Sequence, residues 1–144
     1  MNISSTEQID NKSIVQSVQP NRFSGIKILV VDDEVDSLEI LTLILEQEGA
    51  EVIPANSAKQ AFEAFKNSLP DLIISDIGMS ETDGYTLMIQ IRALPQGEET
   101  PAIALTAYAG EIDRQHSFDV GFQKHMFKPV NIPELIAAII EVLP

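Results

Sequence analysis

Ile26-Lys27-Ile28-Leu29-Val30-Val31-Asp32-Asp33 is a nearly continuous apolar run, entered after Gly25 and left through two adjacent carboxylates. A strand of a parallel sheet covered by helices on both sides carries such a run, because neither of its faces meets water. The pattern recurs along the chain. Leu72-Ile73-Ile74-Ser75-Asp76 ends in a third carboxylate, Ala102 to Leu105 runs into Thr106, and Phe122 to Met126 precedes Lys128-Pro129. If these runs are neighbouring parallel strands, their carboxyl ends open on one crevice, where open α/β sheets bind ligands. Three carboxylates held together repel one another, so a cation must sit among them or some must stay protonated. Magnesium suits such a place, since it takes oxygen ligands, keeps several waters, and binds through one or two carboxylates and a phosphate. The set reads as a phosphoryl-transfer site.

Helical patterns alternate with these runs. Helices are expected from Asp36 to Glu48, stopping at Gly49, and from Ser57 to Asn67, with Ser57 as the cap. A strand from Glu51 to Ala55 lies between them, and Pro70 ends the second helix. A loop after Ser75 reaches Gly84; helices follow from there to Leu94, from Gly110 to Asp119, and after Asn131, where Glu134 completes a capping-box-like pair. Five βα units in this order predict an α/β fold: a flavodoxin-like, doubly wound (βα)5 with right-handed crossovers and a parallel sheet in the order 2-1-3-4-5. That order makes the first and third strands neighbours and brings Asp32, Asp33 and Asp76 together. Residues 1–25, rich in Asn, Ser and Gln, are expected to form a flexible leader with room for a short helix over Ile9 to Val18; residues 26–143 form the domain.

Composition narrows the functions. A chain of 144 residues is enough for one domain with a real core. Its formal charge of −13, from 9 basic and 22 acidic residues, argues against direct nucleic-acid binding, which needs clustered Lys and Arg. No stretch is apolar enough to cross a bilayer and residues 1–20 are polar, so no membrane insertion is expected and the cytoplasm is the expected location. Without cysteine, and with only His116 and His125, neither a thiol nucleophile nor a histidine-based zinc site is available.

Taken in order, Val30-Val31-Asp32-Asp33-Glu34, Asp71-Leu72-Ile73-Ile74-Ser75-Asp76, Asp83-Gly84-Tyr85, Leu105-Thr106-Ala107 and Lys128-Pro129 resemble the CheY-like receiver domain of two-component response regulators. The resemblance implies that Asp76 is the nucleophile that accepts a phosphoryl group from a phosphohistidine, as an acyl phosphate. It implies Mg²⁺ held by Asp32, Asp33 and Asp76 with the backbone carbonyl of Gly78, and a Lys128 that contacts the phosphoryl group as a point charge. Lys128-Pro129 looks like the family's cis bond. Thr106 is expected to bond a phosphoryl oxygen after transfer, drawing the following loop inward, and this displacement is the switch. The implied donor is a sensor histidine kinase or a histidine phosphotransfer protein. Output is expected on the face of helix four, strand five and helix five, through another protein or the rest of a longer polypeptide; the same face leaves room for a homodimer. The reaction is the receiver's own phosphorylation and dephosphorylation, with no separate substrate.

Some positions depart from the family's pattern. Where the family has Tyr or Phe three residues before the lysine, this chain has His125, a switch position whose charge is pH-sensitive. Ser80 stands where proline is frequent. Gly78 and Tyr108 occupy the positions that tune phosphate lifetime; Gly78 offers no side chain, and Tyr108 is bulky enough to obstruct water. On the first helix, Leu38, Leu41 and Leu45 share one face, while Ile40, Leu43 and Ile44 point largely away. In the family this helix receives the partner, so these three form a candidate docking patch unless Ile136 and Ile140 of the last helix cover them. Rival readings are a phosphorylation-independent interaction module, a receiver segment of a hybrid histidine kinase, and a haloacid-dehalogenase-type phosphatase. The phosphatase expects a second acid two residues after the nucleophile, where this chain has Gly78. A nucleotide-binding flavodoxin-like protein would need a glycine-rich phosphate cradle, which the acidic first loop lacks.

Overall fold

The computed structural model describes residues 21–79, 82–107 and 111–144, with backbone only at residues 111 and 112. Ser80, Tyr108, Gly110 and the expected leader helix lie outside the described residues. Strands β1 (Lys27–Val31), β2 (Glu51–Ala55), β3 (Leu72–Asp76), β4 (Ala102–Thr106) and β5 (Lys124–Phe127) alternate with helices α1 (Val35–Gln47), α2 (Ala58–Ser68), α3 (Gly84–Arg92), α4 (Glu111–Val120) and α5 (Ile132–Val142). All strand pairs are parallel and the sheet order is β2-β1-β3-β4-β5, as the alternation of patterns predicts.

The central strands are buried on both faces, and their side chains divide by the two-residue period of a strand. Leu29, Val31, Ile73, Ala102 and Ala104 face one core, closed by Phe65 of α2 and Leu87, Met88 and Ile91 of α3. Ile28, Val30, Leu72, Ile74, Ile103 and Leu105 face the other, closed by Leu41 and Leu45 of α1 and Leu135, Ile136 and Ile139 of α5. Each fully buried side chain of this size contributes about 1.5–3 kcal/mol relative to exposure. Ser57 Oγ accepts the Gln60 N–H at the start of α2, and Asn131 Oδ1 accepts the Glu134 N–H at the start of α5, so both expected caps form.

Several boundaries differ from the sequence reading. β3 and β4 each extend one residue further, so Asp76 and Thr106 are still paired strand residues, opposite Leu105 and Phe127 respectively. β5 begins at Lys124 rather than Phe122, because Phe122 bonds back to Ser117 O and turns its buried ring into the core. α3 ends at Arg92, and a 3₁₀ turn at Pro95–Gly97 follows where a proline cannot continue the helix. Packing also begins before residue 26. Phe23 is 2% exposed in the core of α1 and α5, its N–H bonds Glu48 O, and Arg22 pairs with the buried Glu48 carboxylate. One aromatic side chain is enough to dock a segment whose other residues are polar.

Candidate functional site

The acidic site is built where β1, β3 and β5 end. Asp32 leaves β1 with its N–H bonded to Ala55 O, which fixes it at the sheet's carboxyl edge. Its Oδ1 accepts the Glu34 N–H at 2.9 Å, a side-chain turn that leads into α1, and its Oδ2 faces Lys128. Asp76 ends β3, with Oδ1 accepting the Gly78 N–H at 3.2 Å and Oδ2 facing Lys128. Lys128 Nζ stands 3.1 Å from each of these Oδ2 atoms. The Lys128 N–H bonds Thr106 O at 2.8 Å, and the Lys128–Pro129 peptide is cis. Asp32, Asp33 and Asp76 each offer a carboxylate oxygen, all within 4.8 Å of one another. Thr106 is fully buried at the end of β4.

Burial sets the electrostatics. Desolvation raises the Asp32 carboxyl above its ordinary value, and the nearby Asp76 charge adds to that, against the Glu34 N–H and Lys128, which favour the ionised form. Burial alone would lower the Lys128 ammonium, but hydrogen bonds and charge from Asp32 and Asp76 outweigh it and hold Lys128 above its usual range. Three carboxylates against one ammonium leave the cluster electron-rich. An all-oxygen, partly buried, anionic donor set fits a hard divalent cation such as Mg²⁺ and not a soft one.

A cavity of about 510 Å³ adjoins the cluster, lined by Asp32, Ile40, Leu41, Lys128, Val130 and Ile132 among others. A larger one, about 750 Å³, lies at the opposite end of the sheet beside Arg22, Pro70, Pro101 and Leu143. Its acidic residues Asp71, Glu98 and Glu99 are exposed and do not converge, so of the two cavities it is the smaller that adjoins the acidic cluster.

The structure thus brings together Asp32, Asp33, Asp76 and Lys128, with Gly78 and Thr106 beside them. His125 sits apart, on β5 opposite Ala104, with Nδ1 2.7 Å from Ser117 Oγ of α4. Ile40 and Leu43 are each 57% exposed. Ile44 does not join them: it is half-buried, because it lies three residues from Leu41 and one from Leu45 and so flanks the inward face. Ile136 is buried in the core and Ile140 is exposed, so α5 leaves Ile40 and Leu43 open. The sequence reading missed Ser117, which looks like an ordinary polar helix residue and gains meaning only from what it faces.

Comparison with known proteins agrees with this geometry. The response regulator receiver domain model matches residues 28–140. An uncharacterized 14.6 kDa protein from the sodA1 3′ region of Leptolyngbya boryana is 48% identical over 78% of this chain and 86% of its own. The transcriptional regulatory protein CpxR of Escherichia coli K12 is 37% identical over 81% of this chain, which spans about half (49%) of CpxR. The solved structure of the Vibrio cholerae chemotaxis protein CheY4 superposes with a TM-score of 0.79 at 28% identity, covering 82% of this chain and 98% of that one. The chain belongs to the response regulator receiver domain family of two-component systems, whose role is phosphorylation-dependent signalling. Among the described residues no helix is long and apolar enough to cross a membrane.

Proposed function

We propose that residues 26–143 act as a phosphoryl-accepting switch, with Asp76 as the acceptor and a histidine kinase or histidine phosphotransfer protein as the donor. The observation that carries this is the Lys128 ammonium set between the buried Asp32 and Asp76 carboxylates, 3.1 Å from each. A structural core has no need of three carboxylates and a lysine at one strand edge; a site that handles a phosphoryl dianion does. One Asp76 oxygen attacks phosphorus in line, the new O–P bond forms as the N–P bond of the donor breaks, and the electron pair leaves with the imidazole nitrogen. Lys128 then offers its charge to the phosphoryl oxygens, and the Thr106 hydroxyl bonds one of them. Asp32, Asp33, Asp76 and the Gly78 carbonyl would hold Mg²⁺, which when bound offsets negative charge on the transferring group.

The exposed Ile40 and Leu43 on α1, beside the cavity that reaches Lys128, form the donor's docking surface in this reading. Tyr108 and Gly78 set the lifetime of the acyl phosphate, and the face of α4, β5 and α5 carries the output, to another protein or to a second copy. The protein is a cytoplasmic signalling component that catalyses its own phosphorylation and dephosphorylation, without turnover of a separate substrate.

Intact-mass spectrometry after incubation with Mg²⁺ and acetyl phosphate tests this. A single phosphate adduct that needs Mg²⁺ and is absent from Asp76→Asn is the expected result. An adduct that persists in Asp76→Asn, or no adduct while Mg²⁺ still binds, rejects it.

A further inference from the structure

The cavity of about 750 Å³ is given no role by the acidic site. Ile26, Asp71 and Pro101, which line it, stand immediately before β1, β3 and β4, whereas Asp32, Asp76 and Thr106 stand at the other ends of the same strands. Strands of five residues put the two places about 15 Å apart. An occupant of this cavity leaves the acidic cluster open. Its lining is partly apolar: Ile26 and Leu143, half-buried against the core, share it with Ile140, an aliphatic side chain that is 55% exposed. Pro70, Pro95 and Pro101 also line it, and proline fixes its own φ, so the cavity is formed before anything enters and little ordering is lost on binding. Its volume falls in the range of cavities that take ligands and is enough for a few aliphatic side chains.

Charge narrows what fits there. Asp71, Glu98 and Glu99 stand exposed around the cavity, and because they do not converge they meet separate cations singly rather than one metal ion. Glu98 and Glu99 have no ion-pair partner among the described residues, and Asp71 accepts only the Lys27 N–H, at 2.8 Å, which leaves its charge in place. Arg22, the one basic side chain among the described lining residues, is already paired with Glu48. A second copy of the chain is a poor complement. Lys27, Lys66, Arg92, Lys124 and Lys128 are each tied to an oxygen of their own chain, and a net charge of −13 opposes self-association.

We propose that this cavity is a docking site for a segment of another protein in which leucine-sized side chains lie between lysine or arginine residues. The aliphatic side chains enter against Ile26, Ile140 and Leu143, and the flanking cations meet Asp71, Glu98 and Glu99. Apolar burial supplies the affinity and the carboxylates supply the preference for a basic partner. The site is independent of the phosphoryl-accepting reading, since it uses only the amino edge of the sheet.

NMR titration of the isotope-labelled full chain with the peptide acetyl-KLLK-amide tests this, beside the leucine-free acetyl-KAAK-amide and the charge-reversed acetyl-ELLE-amide. With KLLK the shifted amides are expected to concentrate at residues 22–26, 96–100 and 140–143. Binding of KAAK is expected to be about tenfold weaker or more, as the loss of buried aliphatic side chains implies, and ELLE is expected to leave these amides unmoved. Ile140→Ser and the double variant Glu98→Gln/Glu99→Gln alter exposed positions, so the fold is retained, and each is expected to weaken KLLK binding about three- to tenfold. Equal binding of KLLK and KAAK would reduce the effect to attraction by net charge and overturns the proposal. So does an absence of shifts with KLLK, a set of shifts centred on Ile40 and Leu43, or an affinity that neither variant changes.

Discussion

Lys128 occupies the position that a cation would seek, between two carboxylates that burial keeps from water. Removing its charge leaves Asp32 and Asp76 to a metal without a competitor. Lys128→Met is therefore expected to bind Mg²⁺ severalfold more tightly at pH 8, measured by titration calorimetry, while losing phosphorylation by acetyl phosphate; unchanged affinity would mean that the ammonium does not compete. Gly84 matters for a different reason. A Cβ there would lie 2.5 Å from the backbone oxygen of Asp76, which cannot give way without moving the end of β3. Gly84→Ala is expected to lower the urea midpoint and slow phosphorylation together; a normal phosphorylation rate in a destabilised protein would separate the two effects.

At the scale of elements, the ends of α2 offer opposite tests. Ser57 accepts the Gln60 N–H at its start, and Ser57→Ala is expected to cost about 1 kcal/mol in urea unfolding. At its other end Leu69 takes a left-handed conformation, φ 49°, with its side chain 53% exposed. A leucine meets steric cost there that glycine does not, and it loses little burial on replacement. Leu69→Gly is expected to stabilise the fold by about 0.5–1 kcal/mol, and a fall in the unfolding midpoint would refute the account. The contrast between α1 and α4 is also one of elements. α1 buries Leu41 and Leu45 and keeps Ile40 and Leu43 outside, whereas the fully buried described side chain of α4 is a hydroxyl.

Over the whole molecule the excess of negative charge dominates, −13 in a chain of 144 residues. Such a fold repels itself, and added salt screens the repulsion. The urea midpoint is expected to rise as KCl goes from about 0.01 M to about 0.15 M. A flat dependence would mean that local pairs, such as Arg22 with Glu48 and Lys124 with Glu141, already balance the field. The same field favours a docking partner whose contact surface is neutral or basic.

The strand order and the acidic cluster were legible in the sequence because each depends on a short-range pattern. Apolar runs that end in Asp32 and Asp76 specify buried parallel strands, and parallel strands share one carboxyl edge where those ends must meet. Ser57 and Asn131 could be recognised as caps because a cap and its partner lie three residues apart. Contacts between residues distant in sequence left no such mark. Phe23 reads as one aromatic in a polar leader until Glu48 O and the α1–α5 core receive it. Ile44 reads as outward-facing until the flank of α1 is seen to be partly covered. The distances from Lys128 to its two carboxylates follow from how the ends of β1, β3 and β5 meet, and the tie of Ser117 to His125 from how α4 settles beside β5. The sequence by itself determined the elements, their order and the edge at which the acids gather. Tertiary packing alone decided which polar groups far apart in sequence stand at what distance from one another, since that depends on side chains brought together through space rather than on any local period.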